Sequence, residues 1–344
     1  MSQPVLLQHM EWDAARLATD FPPQWRHPHK QAVYDRILQQ GAAVQGTVRF
    51  TRWCMTSLPE KLPSRSVAIT AEPGFFTYST SHEGVWHLNF ADPRLFAAYG
   101  SPLMAQDEWQ VLEHPLLGSL REALLRNDQP ALTRADGVST PVLISRVPRQ
   151  CALDLAGRAA APTSKWQALL GRLVGPAAAG SQPLYGNAFA KASLQEVMRA
   201  LTVLNPPALS NILAIAAPTG AGAYTRKQIT DILQTAFNGF AAAVLESRRM
   251  QGEAAQTEIH TGWWGCGAFG GNRTLTALLQ IIAAQLAGIG RLVFHYGGDD
   301  GHGSYEDALS FFDLVTDSGR RTLTSAILNE VEVLNFRWGQ SDGN

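Results

Sequence analysis

The chain has 344 residues, of which 45% are hydrophobic and 17% are charged, so it is long and apolar enough to bury a large core. A disordered protein, a coiled coil and a small disulfide-stabilised protein are therefore excluded. Lys and Arg number 28 against 29 Asp and Glu, a formal net charge of -1 without a long run of either sign. This balance predicts neither direct nucleic-acid binding nor attachment to an anionic membrane surface.

The three cysteines, Cys54, Cys151 and Cys266, stand far apart without a CxxC pair, which favours a reducing compartment and no zinc site. The first residues lack a basic segment followed by an apolar core, so no secretory signal is predicted. The most apolar stretch, residues 275–289, is too short to cross a bilayer. These features predict an intracellular protein without a metal.

The predicted elements change in character along the chain. Residues 1–45 are predicted to form a helical N-terminal extension, with an irregular proline-containing start and a helix over 31–40. Residues 46–344 are predicted to form one compact unit. It begins with strands at 47–53, 66–71 and 85–90, helices at 105–112 and 115–125, and a buried strand at 141–147.

The second half alternates strands with long helices. Residues 152–193 are rich in Ala, Gly, Pro and Ser and are predicted to form long connections with one helix at 165–173. Strands at 211–217, 257–260 and 291–296 then alternate with helices at 227–249, 272–288 and 304–315. This order predicts an α/β sheet covered by helices on both faces.

The strongest local motif is a glycine-rich loop between a short strand and a helix, in which Gly265, Gly267 and Gly270 satisfy GxGxxG. Glycines let backbone N–H groups approach a phosphate closely, and the following helix adds the positive end of its dipole, so a diphosphate is the expected ligand. A tight strand-to-helix connection is the structural alternative. A Rossmann dinucleotide site is another, supported by Asp299 and Asp300 but opposed by the short chain that follows them.

Two segments carry a resemblance to a known family. The run Trp-Gly-Cys-Gly-Ala-Phe-Gly-Gly at 264–271, within 260–300, resembles the diphosphate loop of the poly(ADP-ribose) glycohydrolase family. Asn-Phe-Ala-Asp at 89–92 and Gln-Asp-Glu at 106–108 are similar to its ribose-binding and catalytic segments. The resemblance implies a macrodomain: a three-layer α/β/α sandwich with a mixed sheet.

The resemblance also implies roles for individual residues. Glu108 would be the general acid and base that cleaves a glycosidic bond, and Asp107 would bind the leaving ribose. Gln106 would help to hold the loop and the ligand, Asn89 and Asp92 would contact ribose, and Tyr296 would stack on adenine. The residues expected along the diphosphate and distal ribose are Gly265, Cys266, Gly267, Ala268, Phe269 and Gly270.

Several positions depart from the family pattern. Phe96, Ala97 and Ala98 replace a glycine triplet, so side chains are expected to narrow the groove beside the leaving ribose and to favour single ADP-ribose units over chain interiors. Trp263 replaces an Asn before the loop, and Tyr185 is the candidate for the family's substrate-covering Tyr.

The expected function is hydrolysis of an O-glycosidic ADP-ribose linkage, with ADP-ribose or an ADP-ribosylated protein as substrate and without a cofactor. Two alternatives remain: a module that binds ADP-ribose or a related nucleotide diphosphate without cleaving it, and a Rossmann-like oxidoreductase.

Overall fold

The computed structural model describes residues 4–54, 57–64, 66–78, 82–155 and 184–340. The strands of this part of the chain are β1 (Val5–Asp13), β2 (Thr47–Cys54), β3 (Ala68–Glu72), β4 (Val85–Ala91), β5 (Arg134–Ala135), β6 (Val138–Ser139), β7 (Val142–Leu153), β8 (Leu201–Ala216), β9 (Glu258–Thr261) and β10 (Arg291–His295).

Eight of these strands form one mixed sheet in the order β1-β2-β7-β8-β4-β9-β10-β3, and β5 and β6 form a separate hairpin. The neighbours from β1 to β8 run antiparallel, whereas β8, β4, β9, β10 and β3 run parallel. The carboxyl ends of the parallel strands therefore meet at one edge, where α/β sheets commonly bind ligands.

The helices in the described residues are α1 (Ala14–Asp20), α2 (Pro28–Gln40), α3 (Gln106–Glu113), α4 (Pro115–Arg126), α5 (Ala188–Lys191), α6 (Leu194–Ala200), α7 (Arg226–Gln251), α8 (Arg273–Ala287), α9 (Asp299–Val315) and α10 (Thr324–Val333). None of them has the length and apolar character needed to cross a bilayer.

Helices cover both faces of the sheet. On β4, the Trp86 indole donates a hydrogen bond to Ser247 Oγ of α7 at 2.9 Å. The side chain of Asn89 points to the opposite face because successive residues of a strand alternate, and its Nδ2 donates a hydrogen bond to Asp107 Oδ1 of α3 at 3.0 Å. Both residues are completely buried. This arrangement confirms the predicted three-layer α/β/α sandwich with a mixed sheet.

The helix that follows the glycine-rich loop illustrates why these residues form these elements. Asn272 caps α8, since its Oδ1 accepts a hydrogen bond from Leu275 N at 2.9 Å. Gly288 ends the helix in the left-handed conformation, with φ +65°. Between these caps almost every side chain is buried, which explains the unusually apolar sequence of this stretch.

The structure differs from the predicted elements in several places. Residues 5–13 form strand β1 instead of an irregular start, and they pair with β2 at the edge of the sheet. Strands β7 and β8 extend well beyond 141–147 and 211–217 because they pair with each other along most of their length. Helix α9 begins at Asp299 instead of residue 304, and α1 and α10 were not predicted. The predicted helix at 165–173 lies outside the described residues. The division at residue 45 stays a prediction.

Candidate functional site

A cavity of about 660 Å³ lies at the edge where the parallel strands end. Its wall combines the loops after β3, β4, β9 and β10 with the first turn of α3. The predicted site residues that line it are Asp92, Gln106, Asp107, Glu108, Gly265, Cys266, Gly267, Ala268, Phe269 and Tyr296. The fold thus brings two segments together that lie about 160 residues apart in the sequence.

Gln106 fixes the start of α3 against the sheet. Its Oε1 accepts a hydrogen bond from Phe90 N at 2.8 Å, and its Nε2 donates to Leu88 O at 3.0 Å. The side chain therefore continues the hydrogen-bonding pattern of β4 and places the next two residues at the cavity wall. Gln106 supports the site mainly through these bonds to the backbone.

Asp107 and Glu108 form a buried acidic pair at the first turn of α3, with exposed fractions of 7% and 4%. Burial raises the pKa of both carboxyl groups, while the nearby Lys30 ammonium opposes that rise. Glu108 Oε2 accepts a hydrogen bond from Ala105 N at 3.1 Å, and Asp107 Oδ1 accepts one from Asn89 Nδ2 at 3.0 Å. The pair can therefore carry a proton at a pH where ordinary carboxyl groups have lost it.

The glycine-rich loop turns tightly at the amino end of α8. Gly265 has φ +76°, and a Cβ atom there would stand 2.7 Å from Pro218 Cδ, so only glycine fits. A Cβ atom at Gly271 would stand 2.7 Å from the carbonyl oxygen of Gly265. The loop therefore lines the cavity with small residues directly before the amino end of α8, a placement that suits a phosphate group.

Trp263 braces this loop against the end of β10. Its indole Nε1 donates a hydrogen bond to Tyr296 O at 2.9 Å. The Arg273 guanidinium lies over the Trp263 ring, 5.5 Å from its centroid, and pairs with Asp300 at 2.7 Å. The Trp that replaces the family's Asn thus joins the glycine-rich loop to the segment carrying Tyr296.

Cys266 lines the cavity but is poorly suited to act as a nucleophile. Burial raises the pKa of its thiol to about 12, so the thiol stays protonated at neutral pH. This agrees with the expectation that the residue acts through its backbone.

Aromatic rings close much of the remaining wall. The rings of Phe75 and Tyr185 are stacked, with centroids 6.0 Å apart and planes at 17°, and Phe75 meets Trp109 edge-on at 5.1 Å. All three line the cavity, so the structure places the candidate covering tyrosine at the site. Tyr296 is half-buried and Phe269 is 37% exposed, which leaves both rings accessible to a ligand.

Two predicted contact residues do not line the cavity. Asn89 is completely buried behind Asp107, and within the described residues its Oδ1 has no hydrogen-bond partner. Gly270 supports the loop from behind, with φ +62° and a hydrogen bond from its N–H to Gly267 O at 2.9 Å. Both act on the site through the residues that they hold.

The expected narrowing of the groove by a phenyl ring is wrong. Phe96 has φ +52°, a conformation that turns its side chain into the core, where it is completely buried. Only Ala97 and Ala98 of the three substituted positions line the cavity. Two methyl groups therefore stand where the family has bare backbone.

The structure adds residues that the motifs did not indicate. The further lining residues with charged or ring side chains include Arg26, Phe75, Phe76, Arg94, Trp109, Arg273, His295 and Asp300. Arg273 follows the loop directly in the sequence and could have been proposed from it. Arg26 lies about 80 residues from α3 and gives no local signal.

Within the described part of the chain, no group of three or more His, Cys, Asp or Glu side chains is arranged to hold a metal ion.

Comparison with known proteins finds a family match for the later of the two sequence segments that line the cavity. Residues 185–302 match the family model described as poly(ADP-ribose) glycohydrolase, Macro domain fold. The matched segment includes Tyr185, the glycine-rich loop and Tyr296, whereas Asp107 and Glu108 lie before it. The match confirms the family resemblance and the fold class expected from the sequence.

Solved structures with a detectable similarity carry the same description. The poly(ADP-ribose) glycohydrolase from Thermomonospora curvata is 17% identical, with 91% of this chain and 85% of that chain covered and a TM-score of 0.38. The same enzyme bound to the inhibitor ADP-HPD is 18% identical, with 85% of this chain and 87% of that chain covered and a TM-score of 0.39. The poly(ADP-ribose) glycohydrolase from Deinococcus radiodurans in complex with ADP-ribose is 13% identical, with 90% of this chain and 94% of that chain covered and a TM-score of 0.35. No curated protein matches this chain significantly.

Proposed function

We propose that this chain, whose residues 185–302 match the poly(ADP-ribose) glycohydrolase family, hydrolyses an O-glycosidic bond to ADP-ribose, with Glu108 as the acid and base. One observation carries the proposal. A single cavity holds both a glycine-rich loop at a helix amino terminus and a buried carboxyl pair whose burial favours protonation. The loop suits the diphosphate, and the carboxyl pair suits the chemistry at the distal ribose.

Cleavage of such a bond passes through an oxocarbenium-like state, because the leaving oxygen departs as positive charge develops on the ribose carbon. Protonated Glu108 gives its proton to that oxygen. The resulting carboxylate then accepts a proton from the water that attacks the sugar. The Ala105 N–H, which donates to Glu108 Oε2, stabilises this carboxylate form.

We assign the neighbouring residues to orienting the two ribose groups and the adenine ring. Asp107 presents a carboxyl group that Asn89 holds in place, and we assign it to hydroxyl groups of the leaving side. Asp92 is the acceptor left for the distal ribose, since Asn89 is enclosed. Tyr296 is assigned to stacking on adenine, beside the loop that Trp263 braces.

The proposed substrate is a protein that carries ADP-ribose, or the end of an ADP-ribose chain. The decisive experiment follows release of free ADP-ribose from mono-modified and poly-modified proteins, with Glu108→Gln as the matched variant. Release by the native chain and its loss in the variant support the proposal. Calorimetric binding of ADP-ribose without any release would make the chain a binding module, and a nicotinamide-dependent absorbance change would make it an oxidoreductase.

Three predictions stay as such: an intracellular location, the absence of a cofactor, and the absence of nucleic-acid or membrane partners.

A further inference from the structure

The segment before α2 and the first turn of that helix contact the loop that leads into α3, the helix that carries Asp107 and Glu108. Lys30 of α2 is completely buried, and its ammonium group donates to Tyr99 O at 2.8 Å and to Leu103 O at 2.6 Å. Both carbonyl groups belong to the connection between β4 and α3. Two residues beyond Leu103, the Ala105 N–H holds Glu108.

Other contacts of the same segment show that this loop is fixed closely. Arg26 N and His27 N both donate to Gly100 O, at 3.0 and 3.1 Å. A Cβ atom at Gly100 would stand 2.3 Å from Gln24 O, so the two backbones meet with no room for a side chain. The Tyr99 ring packs edge-on against Trp25, with centroids 5.2 Å apart.

The choice of an ammonium group at this place has an electrostatic consequence. Within the described residues, no carboxylate lies within 4.0 Å of Lys30, so its direct partners are neutral carbonyl groups. Its charge nevertheless acts on Glu108 and Asp107, which the Asp92 carboxyl group also faces. Arg26 and His27 are further titratable or charged groups that interact with Lys30. A buried charge is expensive unless it is compensated, and a neutral donor would hold a loop at lower cost.

We propose that Lys30 is a positioning residue for Glu108: it holds the loop that enters α3, and its positive charge stabilises the carboxylate form of Glu108 during turnover. The inference rests on the proposed function, because that form arises when Glu108 has protonated the leaving oxygen. Burial lowers the pKa of Lys30 to about 8, and Glu108 followed by Asp107 act against this decrease. The ammonium is therefore charged at neutral pH.

The first test compares Lys30→Met with Lys30→Arg, and uses Val33→Ala, another completely buried position of α2, as the control for stability. Loss of the positive charge raises the pKa of Glu108, so the high-pH limb of kcat is expected to move upward by about one pH unit in Lys30→Met. A decrease in kcat on the order of tenfold is expected with it. Lys30→Arg should keep the native limb.

Two results would overturn the inference in this experiment. One is a Lys30→Met variant whose kcat and pH limb equal those of Val33→Ala. The other is a Lys30→Arg variant whose limb moves as far as that of Lys30→Met, since charge would then not be the cause.

The second test leaves Lys30 in place, so it applies even when Lys30→Met does not fold. Electrostatic coupling is reciprocal, so Glu108→Gln should lower the pKa of Lys30, followed by NMR of ¹³C-labelled lysine side chains in the full chain. Glu122→Gln is the matched control, because Glu122 accepts a hydrogen bond from Tyr99 Oη on the same loop without acting on Lys30. An unchanged pKa of Lys30 in Glu108→Gln refutes the coupling, whether or not the chain releases ADP-ribose.

Discussion

Replacement of Glu108 by Gln separates chemistry from binding more cleanly than any other change at the site. Gln has the same shape and keeps an oxygen that can accept the hydrogen bond from Ala105 N, which is 3.1 Å long in the native protein. The loop and the cavity wall should therefore stay in place. What disappears is the proton that Glu108 carries because burial raises the pKa of its carboxyl group.

The magnitude follows from that loss. General acid and base assistance contributes about 10²–10⁴ in rate, which corresponds to about 3–5 kcal/mol of barrier. We therefore expect kcat for ADP-ribose release to fall by two or more orders of magnitude. ADP-ribose affinity should stay within a few-fold of native, because the diphosphate is assigned to the glycine-rich loop, a different segment of the cavity lining.

The assay measures single-turnover release of ADP-ribose by chromatography and product affinity by calorimetry, with Glu122→Gln as a control carboxylate outside the cavity. Native turnover in Glu108→Gln would remove this residue from the role of proton donor. A parallel loss of turnover and ADP-ribose affinity would instead indicate a damaged cavity.

Three further predictions test other parts of the site. Gly267→Val should weaken binding of ADP-ribose and adenosine diphosphate but spare adenosine, because a branched side chain blocks backbone donors that only a phosphate uses; equal losses of all three calorimetric affinities would contradict the phosphate-loop assignment. The native chain should prefer single ADP-ribose units to chain interiors, and Ala97→Gly combined with Ala98→Gly should recover some chain cleavage on labelled polymer; efficient trimming by the native chain would refute this. Burial raises the pKa of Asp107 to about 8, so the folded state keeps the carboxyl proton at a pH where the unfolded chain has lost it. The free energy of unfolding therefore falls as pH rises from the ordinary carboxyl range to about 8. Asp107→Asn should therefore have a higher Tm than the native chain at about pH 9 and an equal one at about pH 4, whereas a constant difference would exclude this linkage.

Much of the secondary structure and one wall of the site could be predicted from local sequence. The glycine-rich loop, the Asn272 cap and the apolar run behind it are determined within a few residues, since tight turns and helix ends depend on neighbouring backbone groups. The Gln-Asp-Glu motif at 106–108 likewise indicated the start of α3, because the helix dipole favours acidic side chains in the first turn. These parts of the chain carry their own structural information.

Other features depended on contacts between distant segments. Residues 5–13 form a strand because β2 offers an edge to pair with, and the length of β7 and β8 reflects their mutual pairing. The Lys30 ammonium group binds Tyr99 O, and the backbone N–H groups of Arg26 and His27 bind Gly100 O. These contacts join segments that lie far apart in the sequence, so no local pattern records them.

The sequence by itself determined which residue types are available for the chemistry: a glycine-rich loop to bind a phosphate, carboxyl groups to transfer a proton, and aromatic rings to stack on adenine. Only the tertiary structure decided which of them face the cavity. It turned Phe96 into the core, placed Asn89 behind Asp107, and enclosed Lys30 beneath the loop. The physical reason is that burial and electrostatic coupling act across space, between groups that the chain brings together only when it folds.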